Sequence, residues 1–381
     1  MKWISAICIL LLSSSLSFAA DEEATVRAKG FGGDRSDAIE DAYRNAVSQA
    51  VGTYVSSETS VENFVVVKDA ITTRSKGYIT NYTIINEGMQ TDMYQVEIEA
   101  TVSLSPLKAD AKLLADAIGG VRFLVMYDPR KVKEDEVSNY EFAVERVNEQ
   151  LAQQGYRYIE KNRFDELQRE AMNLMEASDT TEMSYVQRLG LKSGAQFIIY
   201  LKNIRVDSRS EAFDTRFSSV VKMDVKAYDN CTAEGLGTVS IEGERSTSRE
   251  LKSTVKDGIA SASKNELGKL MTLFNSYIGT WVNTGTPFEL RFYNIGGFRE
   301  FRDLRDQLKS DADFGGQFEI TSVPEYTRIN CTFKSKPDDL AFKILDMTDA
   351  VLAMKSKKVD VKLIYGRQIN FAPQDQNFDN R

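Results

Sequence analysis

Apolar and polar positions change period several times along the chain, and each change marks an element. Val26 to Gly30 alternates as a short strand, then runs through Gly32 and Gly33 into a helix that Asp34 or Ser36 can cap. Along that helix Ala38, Ile39, Ala42, Ala46, Val47, Ala50 and Val51 recur at helical spacing, leaving Asp37, Glu40, Asp41 and Arg44 on a solvated face. A second helix is predicted over Glu62–Ser75, then strands over Gly77–Ile85 and Met93–Leu104, with Asn86–Asp92 as the hairpin turn.

The next stretch mixes the two periods. Val121–Met126 is an apolar run suited to a covered strand and ends at Asp128-Pro129. Tyr140, Ala143, Val144, Val147 and Leu151 mark an amphipathic helix closed by Gly155. A strand at Tyr156–Ile159 follows, then helices through Phe164, Leu167, Ala171 and Leu174 and through Val186 to Leu191. The strand Phe197–Leu201, alternating strands Val220–Tyr228 and Gly237–Glu244, and a long helix through Val255, Ile259, Leu267, Leu270 and Leu273 complete an α/β layer pattern.

The last stretch reads as strand Phe288–Tyr293, helix Phe298–Leu308, strands Gln317–Val323 and Thr327–Phe333, helix Pro337–Met354 and strand Val359–Ile364. That β-α-β-β-α-β order is ferredoxin-like. The expected fold class is therefore a multidomain α+β and α/β chain, with units at 21–110, 119–283 and 286–366. Residues 367–381 are polar and read as a disordered tail.

The first twenty residues stand apart. Lys2 gives a positive start, Ile4–Leu12 is almost wholly apolar, and Ser17-Phe-Ala-Ala20 offers small residues for cleavage, the pattern of a signal peptide cut near Ala19 or Ala20. A membrane span needs about 20 apolar residues. Ser13, Ser14, Ser15 and Ser17 end the run before that, and no later stretch is long and apolar enough to cross. The expected location is periplasmic or outer-membrane-associated.

Charge and composition then narrow the classes of function. The formal net charge is -8, and the leader removes only Lys2 from it, which argues against nucleic acid as a partner. The 381 residues include no histidine, so Ser-His-Asp and Cys-His nucleophilic arrangements and histidine-containing zinc sites are excluded. No phosphate loop occurs, and Gly30-Phe-Gly-Gly33 lacks the spacing of a dinucleotide fingerprint. No cofactor, metal or catalytic residue is expected. Carboxylate chemistry survives this filter, as in glycan hydrolysis by an acid and base pair, but no two carboxylates are singled out by spacing.

Beyond the leader only Cys231 and Cys331 remain. In an oxidising compartment they could bridge the second and third units, and two buried free thiols are the alternative. Arg299, Arg302, Arg305 and Lys309 share one side of a helix at spacings of three and four. They form either a surface for an anionic partner or a solvated face paired with Glu300, Asp303 and Asp306.

Several residues carry a resemblance. Gly30, Asp37-Ala38, Asp41-Ala42, Ala46, Val67-Lys-Asp69, Ser75-Lys-Gly77-Tyr78-Ile79, Tyr82 and the alternating run from Tyr94 to Val102 together resemble the N-terminal domain of flagellar assembly protein T. The run from Leu189 to Ile199 is similar to the middle domain of that family, which in turn resembles the N-terminal domain of TolB and the curli secretion component CsgG. The third unit is not matched. The resemblance implies a non-catalytic assembly or scaffold protein of the bacterial cell envelope, whose partners are envelope proteins and, as a further candidate, a second copy of the chain. The alternatives are an envelope glycan or peptidoglycan binder and a carboxylate-dependent glycan hydrolase.

Overall fold

The computed structural model describes residues 22–376 apart from 58–63, 91, 119–120, 161–188, 191–192 and 211–215. The expected signal peptide and the helix expected through Phe164 lie outside the described residues, and of the helix expected from Val186 to Leu191 only Leu189 and Gly190 are described. The rest is a mixed α and β chain with three sheets.

The first unit comprises β1 (Glu23–Gly32), α1 (Arg35–Ser57), α2 (Phe64–Thr72), β2 (Ile79–Gln90), β3 (Met93–Ser103) and α3 (Leu104–Ile118). Its antiparallel sheet has the order β1-β3-β2. Alternation in β3 turns Val96, Ile98 and Ala100 toward Ala38, Ala42 and Ala46 of α1. The small side chains let helix and sheet close tightly: a Cβ on Gly30 would lie 2.1 Å from the Ala38 carbonyl oxygen. The expected turn at Asn86–Asp92 is shorter than predicted, because β2 continues to Gln90 and the chain reverses at Asp92, which has φ 64°.

The second unit holds β4 (Phe123–Met126), α4 (Val137–Gln153), β5 (Phe197–Ser210), β6 (Phe217–Asp229), β7 (Glu234–Glu242), β8 (Ser246–Ser248) and α5 (Leu251–Thr284). β4 and β5 are parallel, and the remaining pairs are antiparallel in the order β4-β5-β6-β7, with β8 beside β6. The strand expected at Tyr156–Ile159 is reduced to a bridge between Tyr158 and Phe123. Phe123, Val125, Phe197, Ile199, Val221, Met223 and Val225 face α4 and α5.

A boundary near residue 110 does not separate two cores. One buried cluster runs from Val47, Val67, Ile71 and Leu114 through Phe123 and Phe197 to Ile259, Phe274 and Trp281. The helix α3 crosses the expected boundary, and Leu107, Ala111 and Leu114 on it join that cluster. Where α2 meets α5, a Cβ on Gly279 would lie 2.9 Å from Thr73 Oγ1 and 3.1 Å from the Ala70 carbonyl oxygen. First and second units are one packed body.

The third unit has β9 (Thr286–Phe292), α6 (Phe301–Ser310), β10 (Phe314–Ser322), β11 (Thr327–Phe333), α7 (Pro337–Ala350), α8 (Leu352–Lys355), β12 (Val359–Tyr365) and β13 (Gln368–Pro373). The sheet order is β10-β11-β9-β13-β12. The expected β-α-β-β-α-β order is present through Tyr365, but one more strand corrects the reading of 367–381 as a disordered tail. β13 inserts parallel to β9 and leaves β12 at the edge. Ile369 and Phe371 enter the core, where Phe371 stacks on Phe292 at 4.9 Å. Gln368 and Asn370 are buried, the Gln368 amide donating to the Asn370 side-chain oxygen at 3.1 Å.

Candidate functional site

Two consecutive elements of the third unit, β12 and β13, are joined by the turn Tyr365-Gly366-Arg367, and this turn is driven into the second unit. Arg367 donates to both oxygens of Asp229, at 2.7 and 2.6 Å, with both side chains shut off from water. Asp229 ends β6 and also accepts from the Cys231 backbone N–H at 2.9 Å and from the Tyr277 hydroxyl at 2.7 Å. The guanidinium lies over the Trp281 ring, 4.5 Å from its centroid. Burial works against the Arg367 charge, yet the Asp229 carboxylate outweighs it and holds the group above its ordinary range.

Beside this pair, Tyr365 closes a polar contact. Its hydroxyl donates to the Ala195 carbonyl, with the Gly190 carbonyl at 3.0 Å, and accepts from the Asn230 amide at 3.2 Å. Burial pushes the Tyr365 hydroxyl well above the usual phenol range. A buried charge pair with this many partners fixes one relative angle between two units, since any other angle leaves charges unpaired away from water.

Cys231 and Cys331 are both buried and both free, so of the two sequence readings the structure has free thiols rather than a bridge. Burial pushes each thiol up to about 12. Next to them an open groove of about 820 Å³ separates the second and third units, bordered by Thr232, Glu234, Phe288, Phe318, Glu319 and Arg328 among others. Lys309 lines this groove and not the one that holds the arginines predicted with it.

Arg299, Arg302 and Arg305 do come together. They line a groove of about 460 Å³ with Phe298, Phe301 and Ile320, between α6 and the edge strand β10. The spacing on α6 accounts for two of them: Phe301, Leu304 and Leu308 are buried on the sheet side, which turns Arg302 and Arg305 outward, and the turn before the helix, which starts at Phe301 and not at the expected Phe298, brings in Arg299.

A third concavity, about 550 Å³, lies where α1 and α2 meet α5 and is lined by Tyr43, Arg44, Asp69, Ser75, Lys76 and Asn275 among others. Asn275 donates to the Tyr156 hydroxyl at 3.2 Å, and that hydroxyl donates to Asp69. Burial raises Asp69 above the usual carboxylate range, despite the Tyr156 hydrogen bond. Sequence reasoning singled out neither this chain nor the Asp229–Arg367 pair, because each joins residues far apart along the chain.

Among the described residues no cluster of His, Cys, Asp and Glu is placed to hold a metal ion, and no helix is long and apolar enough to cross a membrane. No protein-family model and no curated protein matches the chain. Solved structures with some likeness include a candidate lipoprotein from Caulobacter crescentus CB15, at 10% identity and TM-score 0.21 over 45% of this chain and 95% of that one. Another is the hypothetical protein CT253 from Chlamydia trachomatis, at 12% identity and TM-score 0.24 over 42% of this chain and 96% of that one. Likenesses this loose assign neither a domain type nor an activity.

Proposed function

We propose that this chain is an exported, non-catalytic scaffold of the bacterial cell envelope, which holds partner proteins at fixed positions along its units. The observation that carries the reading is the Arg367–Asp229 lock between the second and third units. Combined with the core shared by the first and second, it makes a rigid body from three sheets. Rigidity is what a scaffold needs. Domain closure around a substrate held between these units would have to break the buried pair, which opposes such motion.

Uncovered strand edges supply the docking positions. β2 is the outer strand of the first sheet, and Ile85, Met89 and, across the turn, Met93 are exposed toward its tip. β10 and β12 are the outer strands of the third sheet. Edges of this kind accept a partner strand through main-chain hydrogen bonds. The resemblance of the first unit to the N-terminal domain of flagellar assembly protein T, and of the second to TolB and CsgG, agrees with a place in an envelope assembly. The third unit is not matched by that resemblance, so the reading does not extend to a flagellar role.

The test is affinity purification of the tagged chain after crosslinking in living bacteria, together with fractionation of the envelope. A defined set of envelope proteins recovered with a periplasmic or outer-membrane-associated chain supports the scaffold. A chain recovered alone, or from the cytoplasm, rejects it.

A further inference from the structure

The groove between α6 and β10 has a cationic lining with no carboxylate in it. Arg299, Arg302 and Arg305 provide its charge, and Phe298 and Ile320 provide apolar surface. Glu300, Asp303 and Asp306 alternate with these arginines in sequence but lie outside the lining. Among the described residues, Arg302 and Arg305 make ion pairs with their immediate neighbours, Asp303 at 3.5 Å and Asp306 at 3.1 Å. Residues one apart on a helix do not face each other, and these pairs are open to water, so they hold the arginines weakly. Arg299 makes no ion pair among the described residues. On a chain of net charge -8 such a segregated cationic groove is a local reversal of sign.

Two further observations say what fits it. Phe298, on the lining of the groove, is 60% exposed, a large aromatic surface more than half open to solvent. Ile320 belongs to β10, the terminal strand of its sheet, whose outer side has no strand partner among the described residues. Arginines, an uncovered aromatic and a free strand edge lie side by side.

We infer that this groove docks an extended acidic segment of a partner protein, which adds as a strand to β10 with its carboxylates on Arg299, Arg302 and Arg305 and an apolar side chain on Phe298. Arginine suits this role because its planar fork matches a carboxylate and its charge persists at any physiological pH. The free edge favours a peptide over an anionic lipid surface, which has no backbone to pair with β10. The inference rests on the scaffold reading and names the chemistry of one of its partners.

The experiment uses the purified exported chain and a fluorescent peptide of alternating glutamate and valine with one central phenylalanine, read by anisotropy. The expected result is saturable binding, weakened about tenfold or more by Arg299→Glu/Arg302→Glu/Arg305→Glu and several-fold by Phe298→Ala. Binding weakens as salt rises, and a peptide N-methylated at alternate residues binds at least about tenfold more weakly. Arg305→Gln alone gives a smaller loss in the same direction, which guards against a triple variant that misfolds.

Failure of the peptide to bind, equal binding by the triple variant, or equal binding of a glutamine-for-glutamate peptide overturns the inference. Binding to phosphatidylglycerol vesicles with none to the peptide also overturns it, in favour of a lipid surface. If crosslinking in cells recovers the same envelope partners with the triple variant as with the parent chain, this inference fails while the scaffold reading stands.

Discussion

Arg367 and Asp229 meet across the junction of the second and third units as a two-pronged ion pair, with donor–acceptor distances of 2.7 and 2.6 Å and both side chains buried. Removing one partner of such a pair strands the other charge away from water, a loss of about 3–5 kcal/mol, whereas replacing both by apolar residues is far milder. Arg367→Met or Asp229→Leu alone is therefore expected to lower the denaturant midpoint sharply. The double variant recovers most of that loss. Equal losses in all three variants would mean that the pair contributes through packing and not through charge.

The close approach of α2 to α5 rests on Gly279, where any side chain would meet Thr73 Oγ1 and the Ala70 carbonyl. Gly279→Val is expected to cost about 1–3 kcal/mol, the range for overpacking a well-filled contact. Gly268, on the same helix with open space at its Cβ position, is the matched control. Gly268→Ala should leave stability unchanged or slightly raised.

Asp69 gives a pH signature of definite sign. Burial, opposed by the Tyr156 hydrogen bond and the Lys68 charge, leaves its carboxyl above the ordinary value of 3.8 in the folded chain. The folded state thus holds this proton more tightly than the unfolded one, and the contribution present at low pH is lost as pH rises through the folded pKa. Asp69→Asn keeps an acceptor for the Tyr156 hydroxyl and removes the charge. It should be more stable than the parent at neutral pH, with the difference vanishing as pH falls below the unfolded carboxylate range, as read from unfolding curves at several pH values.

Both thiols, pushed up to about 12 and shut inside the fold, should be inert in the native protein. A thiol reagent at pH 8 is expected to modify neither Cys231 nor Cys331 until denaturant is added, and then both. A native chain with no titratable thiol even after denaturation would instead carry a bridge.

The parts of this fold that were legible in the sequence are those whose pattern is local. Ala38, Ala42, Ala46, Val47 and Ala50 predict the buried side of α1, and all are buried. The strand expected over Thr327–Phe333 coincides with β11, because its alternation matches one covered face. β13 was missed for the opposite reason: Arg367, Gln368 and Asn370 are polar yet buried, Arg367 by pairing with Asp229 of the second unit and Gln368 and Asn370 by bonding each other. The shared core was missed because Gly279 and Ala70 carry no hint of each other. Of the basic cluster, Arg299, Arg302 and Arg305 line one groove, although Arg299 lies in the turn ahead of α6 and not on the helix expected from Phe298, while Lys309, at the far end of α6, lines a different groove.

The central claim is that a rigid, locked chain docks partners along its sheet edges, and site-specific photocrosslinking in living cells tests it most directly. A photoreactive residue would replace Thr83 on β2 or Thr321 on β10, with Lys269 on the exposed side of α5 as the control position. The account predicts discrete adducts with envelope proteins from one or both edge positions and none from Lys269. The absence of adducts at both edges, or the same adducts from all three positions, would contradict it.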